Sequence, residues 1–265
     1  MEADKAMAMG TSAFATEVET SAPPTTSQIV AFSFRNPFHD ALRDSTRRFP
    51  IAGKSIRIDQ AWQSDGRGGT ALGFGASVYD AAIALSLYIA DHPHLVKGKR
   101  VIELGCGPGL VGIVAAHFEP KHVVITDGDP ASVALTRHNI RLNDVSEEIC
   151  TTDKYLWGDL KHHLVEEHDS FDIILGADIV ACPYASAFNA LLTSLEKMAT
   201  PKTLVLLAYK KRQHLEENFF HEFEQVFQIE KIHRSQLHQD FQDGDIVLFC
   251  ARLRDVSLKM IEKRD

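Results

Sequence analysis

Apolar and polar positions along the chain repeat with two periods, and the order in which those periods alternate predicts a fold. Residues 48–51 and 55–58 are short β-forming runs separated by Ala52-Gly53-Lys54, the pattern of a β-hairpin. A glycine-rich polar stretch over residues 62–75 then leads into residues 80–91. There the packed apolar positions Ile83, Leu85, Leu87 and Ile89 predict a largely buried helix, and a glycine-rich entry of this kind places a ligand nearby. From residue 100 strands and helices alternate: strand 100–104, helix about 110–118, strand 122–126, helix 130–142. A third strand is marked weakly at 154–157. Strand 171–176, helix 186–198 and strand 204–208 follow, the last apolar throughout and so predicted at the centre of the sheet.

The final third changes character. A helix over 215–225 precedes two β-rich runs, 227–233 and 246–253, with only a polar loop between them, which predicts an antiparallel hairpin. Helices between consecutive earlier strands imply a Rossmann-like, doubly wound α/β sheet of seven strands. Such a sheet binds its ligand at the carboxyl ends of the strands, beside the point where the winding reverses. The predicted domain runs over residues 29–253. The Ala-, Ser-, Thr- and Pro-rich residues 1–28 read as a disordered tail and residues 254–265 as a C-terminal tail.

With 265 residues, 45% of them hydrophobic, the chain can bury a full core, and no apolar run is long enough to cross a bilayer. A net charge of -8 argues against a nucleic-acid partner, which calls for a basic face. Cys106, Cys150, Cys182 and Cys250 are scattered without a C-x-x-C pair, the usage of a reduced cytosolic or nuclear protein. His162-His163, His233 and His238 fall in loops or on helix surfaces with no paired carboxylate in the sequence. No metal site is therefore expected. A monomer is the expected state.

The chemistry is concentrated in one loop. Glu103-Leu104-Gly105-Cys106-Gly107-Pro108-Gly109 follows a predicted strand and opens a helix, where glycines permit a tight turn and close approach of a ligand to backbone. Gly107, Gly109 and Gly112 also satisfy the dinucleotide spacing, so a nicotinamide-dependent oxidoreductase stays open on the spacing alone. Glu103 and the extra Gly105 favour a ligand with an ammonium rather than a pyrophosphate, namely S-adenosylmethionine. Glu103 could equally cap loop amides. Asp127 ends the next strand, where a carboxylate can accept from both hydroxyls of a ribose. Asp129, just before Pro130, reads instead as a helix cap.

Val78-Tyr79-Asp80-Ala81-Ala82, the glycine loop, Thr126-Asp127, Leu156-Trp157-Gly158, residues 171–178 and the Lys210-Lys211-Arg212 run after strand 204–208 together resemble the class I, seven-β-strand methyltransferases. Within these the chain is most similar to lysine methyltransferase family 16, over roughly residues 48–253. The resemblance implies that Tyr79, Glu103, Gly105, Gly107, Gly109, Asp127, Trp157 and Ala177 line an S-adenosylmethionine pocket. It further implies that Asp178 positions the acceptor, an amine of a protein such as a chaperone or a translation elongation factor. The family has tryptophan where this chain has Tyr79, and an aromatic at the end of its D-x-x-Y motif where this chain has Ala181. Tyr184, three residues on, could supply that ring or simply pack. A histidine or small-molecule acceptor, and a non-catalytic binding module, therefore remain open. The Lys210-Lys211-Arg212 run reads as a solvated loop or a contact for an acidic partner.

Overall fold

The structure, a computed structural model, describes residues 40–63, 73–166, 171–181, 185–212 and 215–254. The tails predicted at 1–28 and over most of 254–265, the glycine-rich residues 64–72 and Tyr184 lie outside the described residues. Those from Asp40 onward belong to one compact unit.

The first two strands, β1 (Thr46–Ile51) and β2 (Lys54–Asp59), pair antiparallel as the predicted hairpin. Ala52 and Gly53 both take positive φ, 48° and 74°, the two-residue turn whose twist matches the strands it joins. Phe49, Ile51, Ile56 and Ile58 face inward. The hairpin is fastened by two asparagines of a later helix that imitate a third strand. Asn139 accepts from Asp59 N–H (2.9 Å) and donates to Asp59 C=O (3.0 Å), while Asn143 accepts from Arg57 N–H (2.9 Å) and donates to Arg57 C=O (2.7 Å).

After α1 (Asp80–Asp91) come β3 (Arg100–Leu104), α2 (Leu110–Ala116), β4 (His122–Asp127), α3 (Pro130–Leu142), β5 (Cys150–Lys154) and the short α4 (His163–Glu166). The chain continues with β6 (Ile173–Ala177), α5 (Ala185–Met198), β7 (Leu204–Lys210), α6 (Leu215–Val226), β8 (Phe227–Lys231) and β9 (Ile246–Leu253). The main sheet has seven strands in the order β5-β4-β3-β6-β7-β9-β8, with β9 antiparallel to both its neighbours. The winding reverses between β3 and β6. Asp129 caps α3, accepting from Ala131 N–H at 2.8 Å, as its place before Pro130 predicted.

Two apolar layers cover the sheet, one with α1 and α2, the other with α5, α6 and a stacked run of Phe219, Phe223 and Phe227. Each fully buried side chain of this size contributes about 1.5–3 kcal/mol. The third strand departs from expectation. It lies at Cys150–Lys154, not 154–157, because β5 is an edge strand with a mostly uncovered face and needs no apolar run; only Cys150 is buried. The apolar residues after it form a loop, with Tyr155 buried in the core and Leu156 65% exposed.

Candidate active site

A cavity of about 620 Å³ opens above the carboxyl ends of β3, β4 and β6. Its floor is the glycine loop. Gly105 has φ +65°, and a Cβ there would lie 2.7 Å from Ile179 Cγ2 and 3.0 Å from Trp157 Cζ2, so only glycine fits. Gly107 has φ +53° and stacks on Gly75, whose Cα would be 3.5 Å from an added Cβ. Gly75 closes the glycine-rich segment that the sequence placed near a ligand. Gly109 departs from expectation: it begins α2 against Thr136 and is not among the residues lining the cavity, so its contribution is to the shape of the loop.

Side chains hold the loop from below. Asp127 accepts from Gly107 N–H at Oδ2 (3.0 Å) and from Asp129 N–H at Oδ1 (2.9 Å), so backbone donors hold both carboxylate oxygens beside the cavity. Thr136 donates to Gly107 C=O (2.8 Å) and Asn139 to Pro108 C=O (2.9 Å). Glu103 is buried and accepts from Gly112 N–H in α2 at 2.8 Å. Its amide-capping role is therefore present, and the same carboxyl lines the cavity. Burial pushes its pKa up to about 8; the Gly112 bond opposes that shift, while the nearby Asp127 charge adds to it. Burial also raises Asp127. Cys106, in the middle of the loop, is held as an inert thiol because burial and the Glu103 and Asp127 charges push its pKa up.

Tyr79, Trp157, Ala177 and Asp178 line the same cavity. Asp178 takes a left-handed φ of +61°, held by its own N–H to Ala208 C=O (2.7 Å) and by Lys210 N–H to its Oδ1 (3.0 Å). Arg212 is the residue that sequence reasoning misplaced. It lies in the exposed loop after β7, yet its guanidinium is engaged within the protein. It clamps Asp178 with two bonds, Nη1 to Oδ1 at 2.8 Å and Nη2 to Oδ2 at 2.6 Å, and joins the cavity wall. No period marks such a residue, since its partner lies 34 positions away, just past the end of another strand.

The cavity's charge fits a cationic ligand. Among the described residues lining it, Glu103, Asp127 and Asp178 are acidic, and the one basic side chain, Arg212, is engaged by Asp178. A pyrophosphate would find no free cation among these residues. With the backbone of Gly75 in contact with that of Gly107 along the cavity, these residues suit S-adenosylmethionine.

A second cluster lies outside the cavity. Asp153 Oδ2 is 3.1 Å from His163 Nε2 and 3.9 Å from His162 Nε2, so the two histidines do share a carboxylate that the sequence did not reveal. His162 Nδ1 accepts from Leu164 N–H (3.3 Å), so Nε2 is the ring nitrogen left facing Asp153. The ligand atoms of Asp153, His162 and His163 all lie within 4.8 Å of one another, close enough to hold a metal ion, a grouping the sequence did not anticipate. His233 and His238 cap short turns, accepting from Ser235 and Asp240 N–H.

Residues 60–226 match the family model described as lysine methyltransferase. Protein N-lysine methyltransferase METTL21A of Danio rerio is 36% identical over 199 residues, 74% of this chain and 85% of that protein. EEF1A lysine methyltransferase 3 of Mus musculus is 32% identical over 225 residues, 83% of this chain and 87% of that protein. A solved structure from Streptococcus mutans, itself assigned as a SAM-dependent methyltransferase, superposes with TM-score 0.53 at 13% identity. It covers 79% of this chain and 56% of that one, a likeness of fold alone.

Proposed function

The chain belongs to the lysine methyltransferase family, and from that membership we propose a division of labour within the cavity and a class of acceptor. It is an S-adenosylmethionine-dependent protein-lysine methyltransferase, and a nicotinamide reaction is set aside. Bound S-adenosylmethionine supplies an electrophilic methyl on a sulfonium. What this chain contributes is alignment and exclusion of water, with no covalent intermediate on the protein.

Strand order supports the division. Asp127 ends β4 and Asp178 follows β6, flanking β3 on its two sides, hence roughly 10 Å apart at one strand spacing per step. In this reading Asp127 holds the ribose hydroxyls, Glu103 the ammonium, and Trp157 and Gly105 shape the wall between. Tyr79, Ala177 and Asp178 border the acceptor's approach. Tyr79 keeps an aromatic wall where tryptophan was expected, and burial together with the Asp178 charge raises its pKa, so it stays a neutral phenol.

The acceptor proposed is a lysine of a translation elongation factor, supported by the 32% identity to a relative named for EEF1A. A cytosolic location suits that substrate. The observation that carries the assignment is the convergence of Glu103, Asp127 and Asp178 on one cavity above the reversal of the sheet. Incubating the protein with methyl-labelled S-adenosylmethionine and purified elongation factor 1A tests it. Label on a lysine supports the proposal; label on other extract proteins but not on this factor would overturn the acceptor, and label on no protein the whole reading.

A further inference from the structure

Asp178 does not meet an incoming lysine as a bare carboxylate, because each of its oxygens already accepts a hydrogen bond from Arg212. We infer that Arg212 is a positioning residue that cancels the Asp178 charge at the acceptor end of the cavity, so that the site selects the neutral, reactive amine over its ammonium form. This rests on the lysine-methyltransferase reading above.

The chemistry makes the distinction matter. A lysine amine has an ordinary pKa of about 10.4 and attacks a methyl group only through the lone pair of its neutral form. An unpaired aspartate beside it would stabilise the ammonium and hold the acceptor in its unreactive state. A guanidinium never loses its proton, and here Asp178 raises its pKa further, so the cancellation persists across the working pH range. The Asp178 side chain is 9% exposed and that of Arg212 41%, so the carboxylate is shielded while the cation borders the mouth.

The charges around this pair do not undo the effect. Lys210, which precedes the clamp on β7, is itself paired with Asp80 of α1 at 3.1 Å. Glu216 of α6 accepts from the Arg212 backbone N–H (3.2 Å) and turns the chain so that the guanidinium faces back to Asp178. Tyr79 contributes a neutral phenol, and Glu103 and Asp127 lie toward the other strands. Removing Arg212 therefore leaves the Asp178 charge uncancelled where the amine must arrive, with the Glu216 carboxylate adding to it from the side of α6.

The test compares wild type with Arg212→Gln and with the charge-conserving Arg212→Lys. Initial rates at saturating elongation factor 1A are followed from about pH 6.5 to about pH 10.5, the range over which a bound lysine would titrate. Arg212→Gln is expected to move the rising limb of kcat upward by about one pH unit or more, with activity recovering at high pH, while Arg212→Lys keeps the limb near wild type. Calorimetry with n-butylamine at pH 7 and S-adenosylhomocysteine present gives a readout independent of turnover. The Gln variant should bind the butylammonium about tenfold more tightly than wild type. A uniform loss of rate with an unmoved limb and unchanged butylammonium affinity would overturn the inference and leave the enzyme assignment standing. A wild type that methylates no protein would overturn both.

Discussion

The side-chain amide of Asn139, on α3, donates to the carbonyl of Pro108, 2.9 Å away in the glycine loop. The same amide bonds Asp59 in the N-terminal hairpin, so one fully buried side chain ties the hairpin to the floor of the cavity. Asn139→Ala would leave the Asp59 N–H and two carbonyls without their partners, at a cost of about 2–3 kcal/mol. Urea denaturation should show that loss, and calorimetry a weaker affinity for S-adenosylmethionine. Unchanged stability would show that the hairpin is not held through this residue.

Gly105→Ala should cost more in binding than in folding. The left-handed φ of +65° penalises any side chain by about 1–2 kcal/mol, and the new methyl would press on Ile179 and Trp157 in the cavity wall. The expected result is a folded protein whose S-adenosylmethionine affinity falls by at least about tenfold. Wild-type affinity in calorimetry would mean the wall yields at no cost.

Glu103 gives the free protein a pH dependence. Its folded pKa of about 8 exceeds the unfolded value of 4.5, so the folded state holds the extra proton and stability falls as pH rises from about 4.5 to about 8, then levels. Thermal unfolding across that window should show the decline, and Glu103→Gln should reduce it. Binding a ligand ammonium beside Glu103 favours the carboxylate, so binding near pH 7 should release protons. Calorimetry in two buffers of different ionisation enthalpy measures this, and no release in wild type would place the ammonium elsewhere.

Much of this was legible in the sequence where period and punctuation carry the physics. The apolar strands Arg100–Leu104 and Leu204–Lys210, the Asp129-Pro130 cap and the glycine loop each announce themselves locally. β5 did not, because an edge strand buries little and shows no pattern. Arg212 and the Asp153 pairing with His162 and His163 were invisible for another reason. Each depends on two segments meeting in space, and a basic run or a histidine pair looks the same whether solvated or paired.

Asp127→Ala and Asp178→Ala should separate two losses. The first is expected to weaken S-adenosylmethionine binding by at least about tenfold. The second should leave that affinity near wild type while turnover falls by about 10²-fold or more, since an interaction made chiefly with the acceptor affects the chemical step. Calorimetry and initial rates on the same preparations decide it. Equal losses of affinity from both substitutions would contradict the separation of ribose and acceptor ends.

The most direct measurement is mass spectrometry of elongation factor 1A after reaction with methyl-labelled S-adenosylmethionine, with Asp178→Ala as the control. Wild type should place the label on a lysine side chain, and the variant should place little or none. Label on histidine, or lysine label undiminished in the variant, would contradict lysine methylation directed by this cavity.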